Sequence, residues 1–220
     1  MCSSDLNDDF YYRDHDLVTL SLDKRFSRSF GFGMSLTYQN SRGNIGNNIG
    51  TVWGYGARAS NVTNPNFNGH PYNDGPLPYN RKWQFKVLAN YALPWGIHVS
   101  GYLQAFSGRP WTPSISVARL PQSLNEPFMF SVPLEPRGNR TRDPFTQLDL
   151  RLQKDFNFGA VSQHRIVLVF DAFNIFNSNS PTGIYGNVNS NWPIQGGSSF
   201  GQASGIIRAR QLRLGFRYVY

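Results

Sequence analysis

The histidines and carboxylates of this chain are the side chains that could hold a metal ion or transfer a proton. The four histidines are widely separated: His15, His70, His98 and His164. They lack the spacing of zinc ligands, so we interpret them as loop or turn residues. Four carboxylates cluster near the start of the chain: Asp8, Asp9, Asp14 and Asp16. No glycine-containing calcium loop surrounds them, and we therefore predict a solvated loop with no metal and no cofactor.

The sequence also lacks the motifs by which enzymes are usually recognised. It contains no nucleophile elbow, no phosphate-binding glycine loop and no paired-carboxylate motif. The glycines of GFGMSL (Gly31–Leu36) alternate with larger residues, which is typical of a strand with small side chains on one face. We therefore expect that the chain is not an enzyme.

Aromatic side chains in the stretch 50–76 could bind a ligand directly. The rings concerned are Trp53, Tyr55, Phe67 and Tyr72, which lie among Asn and Gly residues. Exposed rings in such a setting stack on sugars or hold peptides and can act as binding anchors. The same rings could instead pack a large loop onto its neighbours, and the pattern leaves both interpretations open.

The composition excludes several classes of protein. The chain has 220 residues and a formal net charge of +8, but its 21 Lys and Arg residues are scattered along it without dense clusters. Proteins that bind nucleic acids concentrate such residues in patches, so we predict no nucleic-acid partner. No apolar run approaches the ~20 residues that a transmembrane helix requires. Strands of a membrane barrel need only ~9–11 residues and alternate in polarity, so that class stays open.

The first six residues resemble the translation of a sequencing adapter rather than native protein. They read MCSSDL and include Cys2, the single cysteine, which can form no internal disulfide. We therefore expect residues 1–6 to be a non-native leader, and residues 7–220 to be the C-terminal part of a longer domain. On this hypothesis the lack of a signal peptide says nothing about localisation.

Strict alternation of apolar and polar residues predicts seven β-strands. Between Phe30 and Tyr38 every second residue is apolar, and the residues between them are Gly, Ser and Thr. The same period recurs along the chain. The predicted strands are Asp16–Phe26, Phe30–Gln39, Lys82–Leu93, Ile97–Ser107, Thr146–Phe156, His164–Phe176 and a terminal strand from about Ile206.

The connections between these strands alternate between short and long. The short ones are Ser27–Ser29, Pro94–Gly96 and Asn157–Gln163, and the long ones are Asn40–Arg81, Gly108–Phe145 and Asn177–Gly205. Loops above ~12 residues are uncommon in compact domains, whereas outer-membrane barrels have short periplasmic turns and long extracellular loops. We therefore predict an all-β fold. It is an antiparallel up-and-down transmembrane β-barrel segment, comprising about seven C-terminal strands of a larger barrel.

On this prediction the apolar side of each strand faces lipid and the polar side faces a lumen. A charge on the lipid side costs ~2–4 kcal/mol at mid-bilayer and less near the interfaces. The basic residues on the apolar side lie near strand ends, where long side chains can reach headgroups: Lys24, Lys154, Arg208 and Arg210. Aromatic residues gather at the predicted periplasmic rim, as girdles do: Phe26, Phe30, Tyr91, Trp95, Phe156, Tyr218 and Tyr220.

Several short motifs occur in an order that resembles the C-terminal barrel of TonB-dependent receptors. They are SGRPWTP (Ser107–Pro113), QLDLRLQKDF (Gln147–Phe156), DAFNIFN (Asp171–Asn177), FGQASG (Phe200–Gly205) and RLGFRYVY (Arg213–Tyr220). The last octet is similar to a barrel-assembly signal through Arg213, Gly215, Tyr218 and Tyr220. The long Gly- and Asn-rich loops resemble those of the Oar-like branch of this family. The resemblance covers the chain from about Asp16 onward.

The resemblance implies a plugged barrel of about 22 strands in the outer membrane of a Gram-negative bacterium. The implied partners are outer-membrane lipid, the barrel-assembly machinery, an N-terminal plug, the TonB complex and an unidentified extracellular ligand. The plug would rest against the polar side of the strands. Candidate plug or lumen contacts are Gln84, Lys86, Asp149, Arg151, Arg213 and Arg217; these residues could equally do no more than line a wet lumen.

Energised uptake of a bulky nutrient is the leading hypothesis for function. A structural or adhesive outer-membrane protein without import activity would have the same wall. An outer-membrane hydrolase would require acidic and basic groups clustered at the outer rim, and a secreted soluble sandwich would require the apolar sides to pack against one another.

Overall fold

The computed structural model describes residues 12–43, 72, 74–117, 130–158, 164–188 and 199–219. This part of the chain is almost entirely β-structure, with strands numbered here in chain order. The long strands are β1 (Arg13–Ser27), β2 (Phe30–Gly43), β4 (Trp83–Leu93), β5 (Ile97–Phe106), β10 (Phe145–Phe158), β11 (His164–Phe173) and β14 (Gln211–Val219). The short strands are β3 (Gly75–Pro76), β6 (Pro110–Trp111), β7 (Ser114–Val117), β8 (Phe130–Pro133), β9 (Arg140–Thr141), β12 (Pro181–Ile184) and β13 (Ala203–Ile206).

The seven long strands form one antiparallel meander. Across the sheet they follow the order β1-β2-β4-β5-β10-β11-β14, so each strand lies beside the next long strand in the chain. The predicted up-and-down topology is therefore confirmed. Strands β1 and β14 lie at the edges, and each pairs with one long strand among the described residues. No helix in the described part is long and apolar enough to cross a membrane.

Short connections lie at one end of the sheet, which we call the turn end. Two of them are described, and both contain consecutive residues with positive φ. These are Arg28 and Ser29 after β1, and Trp95 and Gly96 after β4. Positive φ at two successive positions matches the right-handed twist of the flanking strands in tight hairpins. The third short connection (159–163) lies outside the described residues.

Long connections lie at the opposite end, which we call the loop end, and they carry the short strands. Strand β3 extends the main sheet beside β2, while β6 pairs with β9, β7 with β8, and β12 with β13. The loops also touch one another, since Ser114 and Asn187 form a bridge between two of them. The described portions of the loops therefore contain short stretches of paired backbone, which the alternation pattern alone did not predict.

Four predicted strand boundaries are wrong at the loop end. Strand β1 begins at Arg13 rather than Asp16, and β2 ends at Gly43 rather than Gln39, because the two strands stay paired with each other as far as these residues. The sixth long strand ends at Phe173 because Asn174 has a φ of 50° and its side chain bonds the backbone of Ser178 and Arg208. The terminal strand begins at Gln211, because the residues around Ile206 pair with β12 instead.

The interpretation of the histidines and early carboxylates as loop residues is also wrong where the structure describes them. His98 and His164 lie within β5 and β11, in agreement with the predicted strand bounds, and His15 lies within β1 because that strand begins earlier than predicted, at Arg13. Asp14 and Asp16 likewise lie within β1. The ring of His15 bonds the hydroxyl of Ser41 on β2, with Nδ1 and Oγ 2.5 Å apart. Three residues of the same interpretation lie outside the described ranges: Asp8, Asp9 and His70.

The apolar residues of the sheet do not pack into a dry interior. Among the described residues, the buried hydrophobic side chains are Leu77, Val167 and Ala172. By contrast, Leu20 is 67% exposed and Leu214 is 80% exposed. A soluble sandwich would bury such residues between two sheets, so this alternative does not fit the structure.

Candidate functional site

One face of the sheet, here called the apolar face, carries a continuous band of hydrophobic side chains. Cross-strand register aligns the apolar residues of neighbouring strands, so the stripes of single strands merge. The central row is Leu22, Met34, Val87, Leu103 and Leu148. A second row toward the C-terminal edge is Gly101, Leu150, Ala172 and Leu212. The band is broad and exposed, as a surface that meets lipid must be.

Two lysines on the apolar face, Lys24 and Lys154, bind backbone carbonyls at the turn end. The ammonium of Lys24 donates hydrogen bonds to the carbonyls of Phe30, at 2.7 Å, and of Ser27, at 3.2 Å. The ammonium of Lys154 donates a hydrogen bond to the carbonyl of Trp95, which lies in the turn between β4 and β5. Both charges therefore lie at the rim, where they were predicted. The rings of Trp95 and Phe26 are 82% and 58% exposed at the same rim.

The opposite face, here called the polar face, holds an ion triad on three neighbouring strands. Register places Arg151 of β10, Asp171 of β11 and Arg213 of β14 in one row. The Nε atoms of the two arginines donate to the carboxylate of Asp171 over 2.6 and 2.8 Å, and an Nη atom of each adds a second bond. The aspartate is 2% exposed, whereas the side chains of Arg151 and Arg213 are 48% and 61% exposed.

The other predicted lumen residues also lie on the polar face, but they are spread along it. Gln84 and Lys86 are on β4, and the ammonium of Lys86 lies 5.7 Å from the centre of the Phe106 ring. Asp149 accepts hydrogen bonds from the side chain of Gln147 and, at 2.8 Å, from the backbone of Asn174. Arg217 is exposed on β14. These four residues do not join the triad in one site.

The residues of the predicted assembly signal alternate between the two faces of β14. Arg213 and Gly215 lie on the polar face, and Tyr218 lies on the apolar face. The Tyr218 hydroxyl is 2.8 Å from Nδ1 of His164, and the two rings stack. Tyr220 lies outside the described residues, so recognition of this segment by an assembly machine stays a prediction.

Most of the aromatic residues proposed as ligand contacts lie outside the described residues: Trp53, Tyr55 and Phe67. Tyr72 is described and lies just before β3, where its carbonyl accepts a hydrogen bond of 3.0 Å from the backbone of Arg137. This bond ties the segment before β3 to the loop after β8. The choice between ligand binding and loop packing is therefore untested for this group.

At the loop end, two long loops meet around Trp111. Its ring contacts that of Phe200 at 6.1 Å between centroids, and the guanidinium of Arg140 lies over both rings. Arg140 also forms a bidentate ion pair with Glu135, with a shortest N–O distance of 2.5 Å. The carboxylate of Glu135 thus orients the cation that holds the two rings together.

This ion pair predicts that the loops loosen in acid. The hydrogen bond from Arg140, assisted by one from Asn139, lowers the pKa of Glu135 below its ordinary value of 4.5. A lowered carboxylate pKa contributes stability that is present above the ordinary value and is lost as the pH falls through the folded value. We expect cleavage of residues 133–142 by an acid protease to accelerate as the pH is lowered from 5 to about 3.

The variant Glu135→Gln provides the control for this titration. Rates are taken relative to cleavage of an unstructured reference peptide at the same pH, because the activity of the protease itself changes with pH. On this scale the variant should show the accelerated cleavage already at pH 5 and little further change below it, because no carboxylate is left at position 135 to protonate. Equal pH dependence in both proteins would contradict the role assigned to Glu135.

The loop end also contains cavities that the sequence did not reveal. One of about 210 Å³ is bordered by Arg81, Arg109, Arg142 and Asp143. A second of about 520 Å³ adjoins it, sharing Ser107 and Gly108. The three arginines are far apart in the chain, but each lies within three residues of the loop end of β4, β5 or β10. Because those strands are neighbours in the sheet, the predicted strand order could have identified the group.

Nothing in the described part of the chain brings together three His, Cys, Asp or Glu side chains that could hold a metal ion. The recognisable features are therefore two chemically distinct faces, an ion triad on the polar face and a basic cavity at the loop end.

Comparison with known proteins gives one structural relative. No protein-family model and no curated protein matches the sequence. The crystal structure of the outer membrane transporter YddB from Escherichia coli is similar over 96% of this chain and 26% of that chain, with a TM-score of 0.53 and 13% sequence identity. The described chain therefore has the fold of a segment of an outer-membrane β-barrel, and it spans about a quarter of that transporter's length.

Proposed function

We propose that this chain forms part of the wall of an outer-membrane transport protein of a Gram-negative bacterium. This proposal depends above all on the continuous apolar band, which crosses all seven long strands. The charged residues in the middle of the strands lie on the other face. In hydrocarbon, a sheet must present apolar side chains outward and pair its backbone internally. The fold shared with an outer-membrane transporter supports the same proposal.

The two edges of the sheet support membership in a larger wall. Strands β1 and β14 each pair with one long strand among the described residues. An edge strand presents backbone N–H and C=O groups that need partners in lipid. We infer that further strands of the complete protein, or other copies of the chain, supply these partners.

Energised uptake of a bulky nutrient by a TonB-dependent receptor, with Oar-like loops, is the finer form of this proposal. It is supported by the motif order of the sequence and by a polar face whose arginines remain about half exposed. Arg151 and Arg213 use Asp171 as a shared anchor, yet each retains surface for a further contact. We propose that a plug domain makes that contact in the complete protein.

A labelling experiment tests membrane embedding with two adjacent residues of β1. In a Cys2→Ser background of the full chain, single cysteines are introduced as Leu22→Cys on the apolar face and Ser21→Cys on the polar face. Each carries an environment-sensitive fluorophore. We expect the label at position 22 to be quenched by phospholipids brominated in their acyl chains, and the label at position 21 by aqueous iodide. Identical quenching at both positions would overturn the proposal.

Sequencing of the complete reading frame separates a receptor from a structural or adhesive barrel. The receptor proposal requires a plug and a TonB-contacting segment upstream of residue 7. A frame that encodes a barrel without a plug would favour the adhesive alternative, for which the broad, paired loops of the loop end would serve as the binding surface.

A further inference from the structure

The basic cavity at the loop end lies on the polar face, above a pair of stacked rings. Phe106 and Phe145 occupy the same cross-strand row on that face, with ring centroids 5.2 Å apart and planes within 12°. The guanidinium of Arg81 lies 4.6 Å from the centre of the Phe106 ring. The rings therefore form an apolar floor on which a cation is held by stacking rather than by an acid.

The walls of the cavity are fixed by backbone contacts between two loop segments. The backbone N–H of Arg142 donates a 3.0 Å hydrogen bond to the carbonyl of Arg109. Gly108 allows this approach, because a Cβ atom at that position would stand 1.7 Å from the carbonyl oxygen of Arg142. An Nη atom of Arg142 also donates to the carbonyl of Thr182 over 2.5 Å. The backbone of Arg109 and both the backbone and the guanidinium of Arg142 are therefore held in place at the cavity.

Two donors of this site are buried without a partner among the described residues. Nη1 of Arg81 and Nε of Arg142 are shielded from solvent and make no hydrogen bond within this part of the chain. A buried charged donor without an acceptor costs more free energy than an ordinary missing bond. Such donors could form hydrogen bonds with an acceptor atom of a bound ligand.

The charged residues that line the cavity carry a net positive charge, which also favours an acceptor that is an anion. Arg81, Arg109 and Arg142 border it with Asp143 as the opposing carboxylate. Burial lowers the pKa of Arg81, and the positive charges of Arg109 and Arg142 lower it further. The surplus of two positive charges matches a dianionic group, and planar guanidinium groups bind phosphate oxygens through paired hydrogen bonds.

We propose that the cavity bordered by Arg81, Arg109 and Arg142 binds a phosphate monoester group of a soluble ligand. Its volume of about 210 Å³ accommodates such a group together with a small substituent. The position on the polar face, opposite the lipid-facing band, assigns the group to a soluble molecule rather than to a lipid headgroup. This inference deepens the proposed function, on which it rests for placing the loop end at the outer mouth of a barrel.

Calorimetric titration of the full chain in detergent micelles, in phosphate-free buffer at pH 8, tests the proposal. Phenyl phosphate serves as the probe and acetate as the monoanionic comparison. We expect saturable binding of phenyl phosphate that is at least tenfold tighter than that of acetate. Arg81→Gln and Arg142→Gln should each weaken it by about tenfold or more. Arg210→Gln, a loop-end arginine outside the cavity, should leave binding unchanged.

Arg109→Gln keeps the test decisive if either of the other variants fails to fold. The side chain of Arg109 is exposed, and the contact that Arg109 makes with Arg142 uses its backbone carbonyl, which the substitution retains. Loss of its guanidinium should therefore weaken binding without unfolding the chain. Binding that is absent in the unmodified chain, or unaltered in every cavity variant that folds, would overturn the proposal. Displacement of phenyl phosphate by lipid A would overturn the assignment to a soluble ligand. The fluorophore quenching at positions 21 and 22 does not depend on this cavity, so the two proposals can fail separately.

Discussion

Replacing Asp171 with alanine is expected to lower the free energy of unfolding by about 2 kcal/mol. The substitution leaves the two guanidinium groups of Arg151 and Arg213 facing each other without the carboxylate that both of them bind. Loss of one partner from a fully buried ion pair costs ~3–5 kcal/mol. The expected value is smaller here because both arginines are about half exposed and water screens part of their repulsion.

Equilibrium unfolding of the full chain in micelles by guanidinium chloride, followed by tryptophan fluorescence, measures this loss. Asp155→Ala is the matched control, since Asp155 lies on the polar face of β10, the strand beside β11, and pairs with Arg165 of β11 at a longer distance of 3.7 Å. Its loss should stay below ~1 kcal/mol, as expected for a partly exposed ion pair. Asp171→Asn should fall between the two, because it keeps an acceptor oxygen without the charge. Equal losses for Asp171→Ala and Asp155→Ala would refute a special role for the triad.

The long strands could be predicted from the sequence because their pattern depends only on local alternation. Each strand has one side toward an apolar environment and one toward a polar environment. Apolar and polar residues therefore alternate along every strand. Phe30–Gly43 shows this most clearly, and its first residue was predicted correctly. The predicted strand ends near Asn174 and Ile206 are wrong because neither depends on alternation. Side-chain hydrogen bonds of Asn174 end one strand, and pairing of two loop segments takes up the residues before the other.

The alternation of residues does not predict which polar side chains lie next to one another, because this depends on the register between strands. Alternation places Arg151, Arg213 and Asp171 on the polar side of their strands, but only the register brings them into one row. Register depends on the turns between strands, and their geometry is not specified by the polarity pattern. The cavity arginines lie outside the strands altogether, so no periodic signal marked them.

The strongest test of the two faces uses two neighbouring residues of β4. Val87 lies in the central row of the apolar face, between Met34 and Leu103, while Leu88 lies on the polar face, between Gly33 and Tyr102. Both residues are aliphatic, so a change to arginine removes a similar side chain and adds the same charge. Only the environment that receives the charge differs.

In the complete protein folded into phosphatidylcholine vesicles, Val87→Arg is expected to lower the free energy of unfolding by about 2–4 kcal/mol, the cost of a charge at the lipid-facing midplane. Leu88→Arg should cost less than ~1 kcal/mol, because its guanidinium enters the polar face, where it has water and other polar groups. Urea titration of the folded fraction measures both values. Val87→Ala separates loss of the side chain from the added charge and should account for the smaller part of the effect. Equal destabilisation of the two arginine variants would show that the apolar face is not in contact with lipid. Adjacent residues of a strand face opposite sides of the sheet, so lipid on one side must destabilise one variant more than the other.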